Sequence, residues 1–380
     1  MGRDEPDVLV VGAGPAGLAV AACLHAQGIS ALVVDRGGSA GESWHGRYDR
    51  LHLHTPRVQS ALPGMRLTRS YGRWVSKDDM GDYVRRYAER NGIRPRFGTQ
   101  VQRIDPDGSG WTVQTDAGQL SARQVVIATG YSNSPVIPRW PGLEGFSGPV
   151  LHAWQYRSAA PFAGRSVLVV GAGNSGAEIA ADLAEGGATQ VRLAIRTAPN
   201  IVPRQVGPVP TTLLAIGMEY APAHLVDPVN RLLQRGVLGD LTRYGMPTAR
   251  AGVVAQARAT RTTPTIDVGL VAALRAGQVT PVPAVERFDG DTVVLSDGQR
   301  ITPDAIIAAT GYATGLVRLV GHLGVLDALG RPLVAGRTAH RDAPGLRFVG
   351  LTNPLKGQLL QISLDARATA RAIARELRVT

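Results

Sequence analysis

Cysteine and lysine are nearly absent from this 380-residue chain. A single cysteine, Cys23, excludes an internal disulfide, a CxxC redox pair and a cysteine-built zinc site. That suits a reducing cytoplasm, the expected location, although secreted chains can also lack disulfides. All but Lys77 and Lys356 of the 41 basic residues are arginine, and aromatic residues make up only 5% of the chain. Ten arginines lie in residues 190–275 against four acids, so the formal charge of +11 is concentrated in one middle segment. No basic run interleaved with aromatics accompanies it, and no nucleic-acid partner is expected. A site for a phosphate-bearing cofactor or an acidic substrate explains a local excess. At 44% hydrophobic and 19% charged, the chain is composed to fold, and its length suits about two domains.

An uninterrupted apolar run is also missing. Residues 8–24, VLVVGAGPAGLAVAACL, carry no charge, yet Gly12, Gly14, Pro15 and Gly17 break the stretch. Asp4, Glu5 and Asp7 precede it, where a secretory signal carries positive charge. A strand at 8–11, a glycine turn and a helix over 15–27 fit better, and no membrane span is expected. The turn is a GxGxxG in the context that dinucleotide binding requires. Gly12 permits the tight turn, Gly14 lets a pyrophosphate approach the backbone, and Gly17 lets the helix pack on the strand. Pro15 and Ala16 open the helix whose free N–H groups would receive the phosphates. The next strand, 31–34, ends at Asp35 and Arg36, with the acid placed for ribose hydroxyls. A glycine-rich core turn is the alternative.

The unit repeats at 167–187, VLVVGAGNSGAEIAADLAEGG. Gly171, Gly173 and Gly176 are its glycines, with Asn174 and Ser175 between them, and its helix is predicted to end near Glu185. Its second strand, 190–195, ends in Arg196 and Thr197 in place of an acid. A guanidinium there suits a 2′-phosphate and predicts NADPH over NADH, unless Arg196 merely caps a surface strand. An acidic and a basic ribose position imply two cofactors, one flavin and one nicotinamide. Two similar strand ends, VVIATGY at 125–131 and AIIAATGY at 305–312, read as the crossings between domains.

These residues bring a known family into view. Phe146, Gly148, His152 and Tyr156 spell FxGxxxHxxxY just before the second glycine turn. The chain thereby resembles the class B flavin-dependent monooxygenases, and within them the plant YUCCA-type enzymes. ESWHGRYDRLHLHTP (42–56), TPTIDVGLVAALRAGQV (263–279) and FVGLTNPLKGQLLQISLDA (348–366) carry that likeness. Tyr156 stands where Baeyer–Villiger enzymes usually have tryptophan. The resemblance implies that Trp44 and segment 51–56 line the flavin, with His54 and Thr55 beside it. Val101 would touch the adenine end, and Thr129 the flavin phosphates or the hinge. Gln358 and Leu359, ahead of a last helix over 363–377, would approach the flavin ring, with Gln358 a catalytic candidate unless it is a turn residue. His54 replaces a family asparagine and would donate to a flavin peroxide, or only pack. His152 is expected at the hinge, positioning the nicotinamide.

The fold implied is α/β: two dinucleotide-binding Rossmann-like domains, an NADPH domain (151–280) inserted in a discontinuous FAD domain (1–150 and 281–380). Residues 76–91 read as a helix capped by Ser76. The proline-rich stretch 200–262 reads as short helices forming a lid, with a membrane-surface patch as the rival. The expected activity is FAD- and NADPH-dependent monooxygenation: a flavin (hydro)peroxide, formed with dioxygen, passes one oxygen atom to a small organic substrate. The substrates considered are amines, sulfides, indoles and, as in YUCCA-type enzymes, an aromatic 2-oxo acid that is oxidatively decarboxylated. The rivals are an NADPH oxidase or flavin reductase, and a cofactor-bound regulatory protein without turnover. No metal is expected.

Overall fold

The computed structural model describes residues 6–108 and 110–379; Asp4 and Glu5 of the acidic flank lie outside the described residues. Two parallel sheets organise it. The first runs Ala31–Val34, Val8–Val11, Gln124–Ile127, Leu346–Phe348 in spatial order. The second runs Val279–Pro283, Gln190–Ile195, Ser166–Val170, Ala305–Ala308, Val150–His152. Both are all-parallel, and the central strands Val8–Val11 and 167–170 are apolar and buried on both faces, as strands covered from two sides must be.

The two sheets are built alike. In each, the strand before the glycine turn lies between the ribose-position strand and a strand ending in Ala-Thr-Gly. In each, a three-stranded antiparallel meander precedes that Ala-Thr-Gly strand, at 101–122 and at 285–301. The crossings also meet: Ser134–Pro135 pairs antiparallel with Tyr312–Ala313.

This topology corrects the expected return to the flavin unit at residue 281. Val279–Pro283 and Ala305–Ala308 are both members of the second sheet, held by parallel pairing to Gln190–Ile195 and Ser166–Val170. The second unit therefore continues through Ala308, and the chain leaves it at the 309–313 crossing.

Helix boundaries follow local chemistry. Pro15–His25 starts with proline in its first turn, and Gly28 then turns the chain at φ +75°. Lys77–Arg90 is capped by Ser76, whose hydroxyl accepts from the Asp79 amide at 3.1 Å. Asn174–Glu185 ends where expected. The last helix does not: it spans Gln358–Val379, starting five residues before the expected 363. Gly357, at φ +91°, ends the preceding turn, and the helix then buries Leu359, Ile362, Ala366 and Ala370 beside Pro15–His25.

The insert 200–262 contains Thr211–Met218, Ala223–Leu238 and Val253–Thr260 as helices, with a short hairpin at 205–210. Gln59 ties it to the first unit: its Nε2 donates to the Thr212 carbonyl at 3.2 Å and the Lys356 carbonyl at 2.5 Å.

Candidate active site

The first glycine turn divides labour among its residues. Gly12 sits at φ +113°, and a methyl group there would lie 2.5 Å from the Ala128 carbonyl oxygen. On Gly17 it would lie 1.8 Å from the Gly12 carbonyl oxygen. Both glycines are demanded by the protein itself. Gly14 faces nothing within 4 Å, so its missing side chain leaves space outside the chain. The second turn repeats this: Gly171 meets the Ala309 carbonyl at 2.5 Å, Gly176 meets the Gly171 carbonyl at 1.8 Å, and Gly173 is open. Neither helix has a side-chain cap, so the first-turn N–H groups are left for a ligand.

A cleft of about 640 Å³ opens at the first turn. Of the residues expected there, Gly12, Gly14, Pro15, Ala16, Asp35, Arg36, Trp44, Val101, Thr129, Gln358 and Leu359 line it. Ser175 joins from the second turn, so both glycine turns reach one cleft. Asp35 accepts from the Ala13 amide at 2.6 Å and the Gly37 amide at 2.7 Å, which fixes the carboxylate at the strand end. The Thr129 hydroxyl is buried and has no partner, an orphan that phosphate oxygens would satisfy. The residues thus fit a flavin dinucleotide. Gln358 and Leu359 lie in the first turn of the last helix, not ahead of it, and the Gln358 amide donates to the Gly350 carbonyl at 3.0 Å.

Leu51, from the segment 51–56 expected there, lines the cleft too, whereas the sequence reading passed over Arg47, Tyr48 and Trp154, which also line it. Arg47 stacks 4.4 Å from the Trp154 ring centroid and donates to the Tyr312 hydroxyl at 2.9 Å. Arg47 and Tyr48 lie within the quoted 42–56 stretch, and their nearness to Trp44 was the available signal. Trp154 follows the fingerprint histidine by two residues.

His54 and Thr55 are not among the lining residues. His54 Nε2 pairs with Glu178 Oε1 on the second unit's helix, and the Glu178 side chain is only 2% exposed. The buried carboxylate of the second unit's helix thus engages the imidazole of His54. Thr55 is buried, with its hydroxyl 2.7 Å from that of Ser60. Tyr48 also bonds to Glu178; burial, reinforced by that carboxylate, pushes its phenol well above the usual range.

The fingerprint residues stand outside the cleft. Phe146 meets Phe288 edge-on at 5.8 Å, and Gly148 leaves room for the Asp304 carbonyl and the Phe146 ring. The Tyr156 hydroxyl donates to Asp182 at 2.6 Å. His152 bonds from Nε2 to the Gly311 carbonyl at 3.0 Å and accepts at Nδ1 from the Trp154 amide at 3.0 Å. Burial lowers its pKa. It thus joins strand Val150–His152 to the crossing.

At the second turn, Asn174 is engaged structurally: it donates to the Pro264 carbonyl at 3.2 Å and accepts from the Ile266 amide at 2.7 Å. Arg196 and Thr197 are exposed at the end of Gln190–Ile195, with no acid beside Arg196 in sequence and no ion pair to it among the described residues.

Two dinucleotide turns opening on one cleft define a two-cofactor oxidoreductase. A family model described as pyridine nucleotide-disulphide oxidoreductase matches residues 9–206. The rice (Oryza sativa subsp. japonica) indole-3-pyruvate monooxygenase YUCCA1 is 35% identical over 376 residues, covering 97% of this chain and 91% of the relative. The probable indole-3-pyruvate monooxygenase YUCCA8 of Arabidopsis thaliana is 35% identical, with 96% and 88% covered. The flavin-containing monooxygenase from Stenotrophomonas maltophilia superposes with a TM-score of 0.76 at 25% identity, over 99% of this chain and all of that one. The chain belongs to the flavin-dependent monooxygenases, in the family of the YUCCA-type enzymes. FAD and NADPH are its cofactors. No helix among the described residues is long and apolar enough to cross a membrane.

Two outcomes follow from this geometry. Thr129→Val should leave the melting temperature of the FAD-free protein unchanged, since an apolar isostere replaces an unsatisfied hydroxyl, while FAD binding weakens about ten- to a hundredfold. Fluorescence titration with FAD measures it, and unchanged affinity would detach Thr129 from the cofactor. For the buried pair, His54→Ala and Glu178→Gln should be non-additive by about 1–3 kcal/mol in denaturation of the FAD-loaded protein. Strict additivity would show that the pair does not couple the two units.

Proposed function

We propose that FAD lies along the first glycine turn and NADPH along the second, and that the enzyme oxidatively decarboxylates an aromatic 2-oxo acid. The observation that carries the cofactor placement is the Thr129 hydroxyl, buried without a partner in the cleft that both turns reach. Bound FAD supplies hydride acceptance and the activation of dioxygen.

The protein's part is binding, orientation and exclusion of water. Helix Pro15–His25 directs its N-terminal N–H groups and positive dipole end at the flavin pyrophosphate. The N-terminus at Gln358 presents a second positive dipole end to the cleft, which favours negative charge there. Tyr48, Leu51 and Trp154 supply apolar wall. The His54–Glu178 pair clasps segment 51–56 to the second unit and is a positioning element in this reading. Arg196 reads the 2′-phosphate. The helical insert 200–262 roofs the substrate, a role supported by its attachment through Gln59.

The substrate class rests on the relatives named indole-3-pyruvate monooxygenases. Arg204 suits an acid. Its guanidinium lies 4.1 Å from the Trp74 ring centroid, donates to the Leu53 carbonyl at 2.7 Å, and keeps a buried Nε without a partner. Burial lowers its pKa to about 10, so it stays cationic at neutral pH. The reaction balances as 2-oxo acid, dioxygen, NADPH and a proton giving the shortened acid, carbon dioxide, water and NADP⁺. The lone cysteine supports a cytoplasmic site of action, and the lack of a basic run interleaved with aromatics supports the absence of nucleic-acid partners.

The decisive experiment supplies indole-3-pyruvate with labelled dioxygen. One carbon dioxide and one labelled oxygen in the product acid are expected per NADPH oxidised. Hydrogen peroxide equal to the NADPH consumed, whatever acid is present, would favour the oxidase reading.

Arg196→Ala should raise the NADPH requirement about ten- to a hundredfold, as expected for loss of a charge-assisted bond, and leave NADH use nearly unchanged. Steady-state kinetics with both coenzymes checks this. Equal loss with both would deny Arg196 the phosphate.

A further inference from the structure

Helix Ala223–Leu238 turns its apolar face to solvent. Leu225, Val229 and Leu232, spaced along one face, are 62%, 55% and 73% exposed. Leu233 and Val237 widen the stripe, and Tyr220, just before the helix, is 75% exposed. The polar face is the one packed inward. Asp227 is buried and its carboxylate accepts from the Val254 amide at 2.8 Å and the Ala255 amide at 3.1 Å, capping the next helix. The Gln234 side-chain amide is buried without a partner. A water-facing helix of a globular protein has the opposite arrangement. A contiguous exposed apolar stripe of this kind marks a surface made to be covered.

The charge beside the stripe identifies what covers it. At 100° per residue, His224, Arg231 and Arg235 fall along one flank. All three are exposed, and the helix's sole acid is the buried Asp227. A second copy is a poor occupant, because an antiparallel two-fold pairing sets each flank against itself, arginine against arginine. An apolar stripe edged by arginine matches a bilayer interface carrying anionic headgroups.

We propose that this face seats the protein on an anionic lipid surface, with the leucine stripe sunk among the headgroups and Arg231 and Arg235 on the lipid phosphates. With no bilayer-crossing helix among the described residues, the mode is seating on one leaflet.

Co-sedimentation of the FAD-loaded protein with vesicles tests it, using phosphatidylcholine alone or mixed with phosphatidylglycerol, at low and high salt. Wild type should bind the mixed vesicles, and salt should weaken binding. Arg231→Gln with Arg235→Gln should weaken it about fivefold per arginine removed. Leu225→Gln with Leu232→Gln should abolish it while leaving the flavin spectrum and melting temperature intact. Failure to bind mixed vesicles, or equal binding to phosphatidylcholine alone, would overturn the proposal. So would a solution dimer that Leu232→Gln dissolves.

Discussion

The structure depends on one close approach, made twice. In each unit the glycine turn presses against the end of the neighbouring strand, so tightly that a Cβ on Gly12 or Gly171 would sit 2.5 Å from a carbonyl oxygen. The carbonyls belong to Ala128 and Ala309, each at the start of an Ala-Thr-Gly end. Because the turn is pinned from behind, the helix that follows it has a fixed start, and its unsatisfied N–H groups point outward. The crossings leave from the same two strand ends, so cofactor site and domain connection share one constraint. This explains why Thr129, the next residue after Ala128, lines the cleft while it also begins the crossing.

Duplication gives two similar turns; the differences lie at their edges. At the first, Asp35 spends one contact on each oxygen to hold its own loop, which orients the carboxylate. At the second, strand Gln190–Ile195 ends in an exposed guanidinium free of ion pairs among the described residues. Asn174, which the motif alone suggests as a ligand contact, instead locks strand Thr265–Asp267 to the turn. One scaffold thus presents opposite charge at the ends of its two matching strands.

Much of the first unit was legible because its signals are local. Strands Val8–Val11 and Ala31–Val34, the Ser76 cap and the end of Asn174–Glu185 depend on residues within a few positions of each other. The start of the last helix was misplaced by beginning it at Ser363, although Gly357 and the Leu359, Ile362, Ala366 spacing mark a helix from Gln358 on. The 281 boundary failed for a different reason. A strand's sheet is decided by pairing partners far away in the sequence, and only the matched Ala-Thr-Gly ends hinted that 305–308 belongs with 166–170. His54 shows the same limit: its partner Glu178 lies 124 residues on, within a helix whose pattern marked only its apolar face.

The connection between units is built to avoid titrating near neutrality. His152 donates from Nε2 and accepts at Nδ1, a combination open only to the neutral ring. Burial lowers its pKa below 6.5, so the folded state keeps that form at neutral pH. Its stabilising share is present above the unfolded value and is lost only as the pH falls through the lowered one. The imidazole packs edge-on to Tyr312, whose hydroxyl accepts from Arg47 in the cleft wall. Trp154, whose amide satisfies Nδ1, is the ring on which Arg47 stacks. The fingerprint histidine therefore needs no place in the cleft: through Tyr312, Arg47 and Trp154 it fixes the wall that both cofactor turns share.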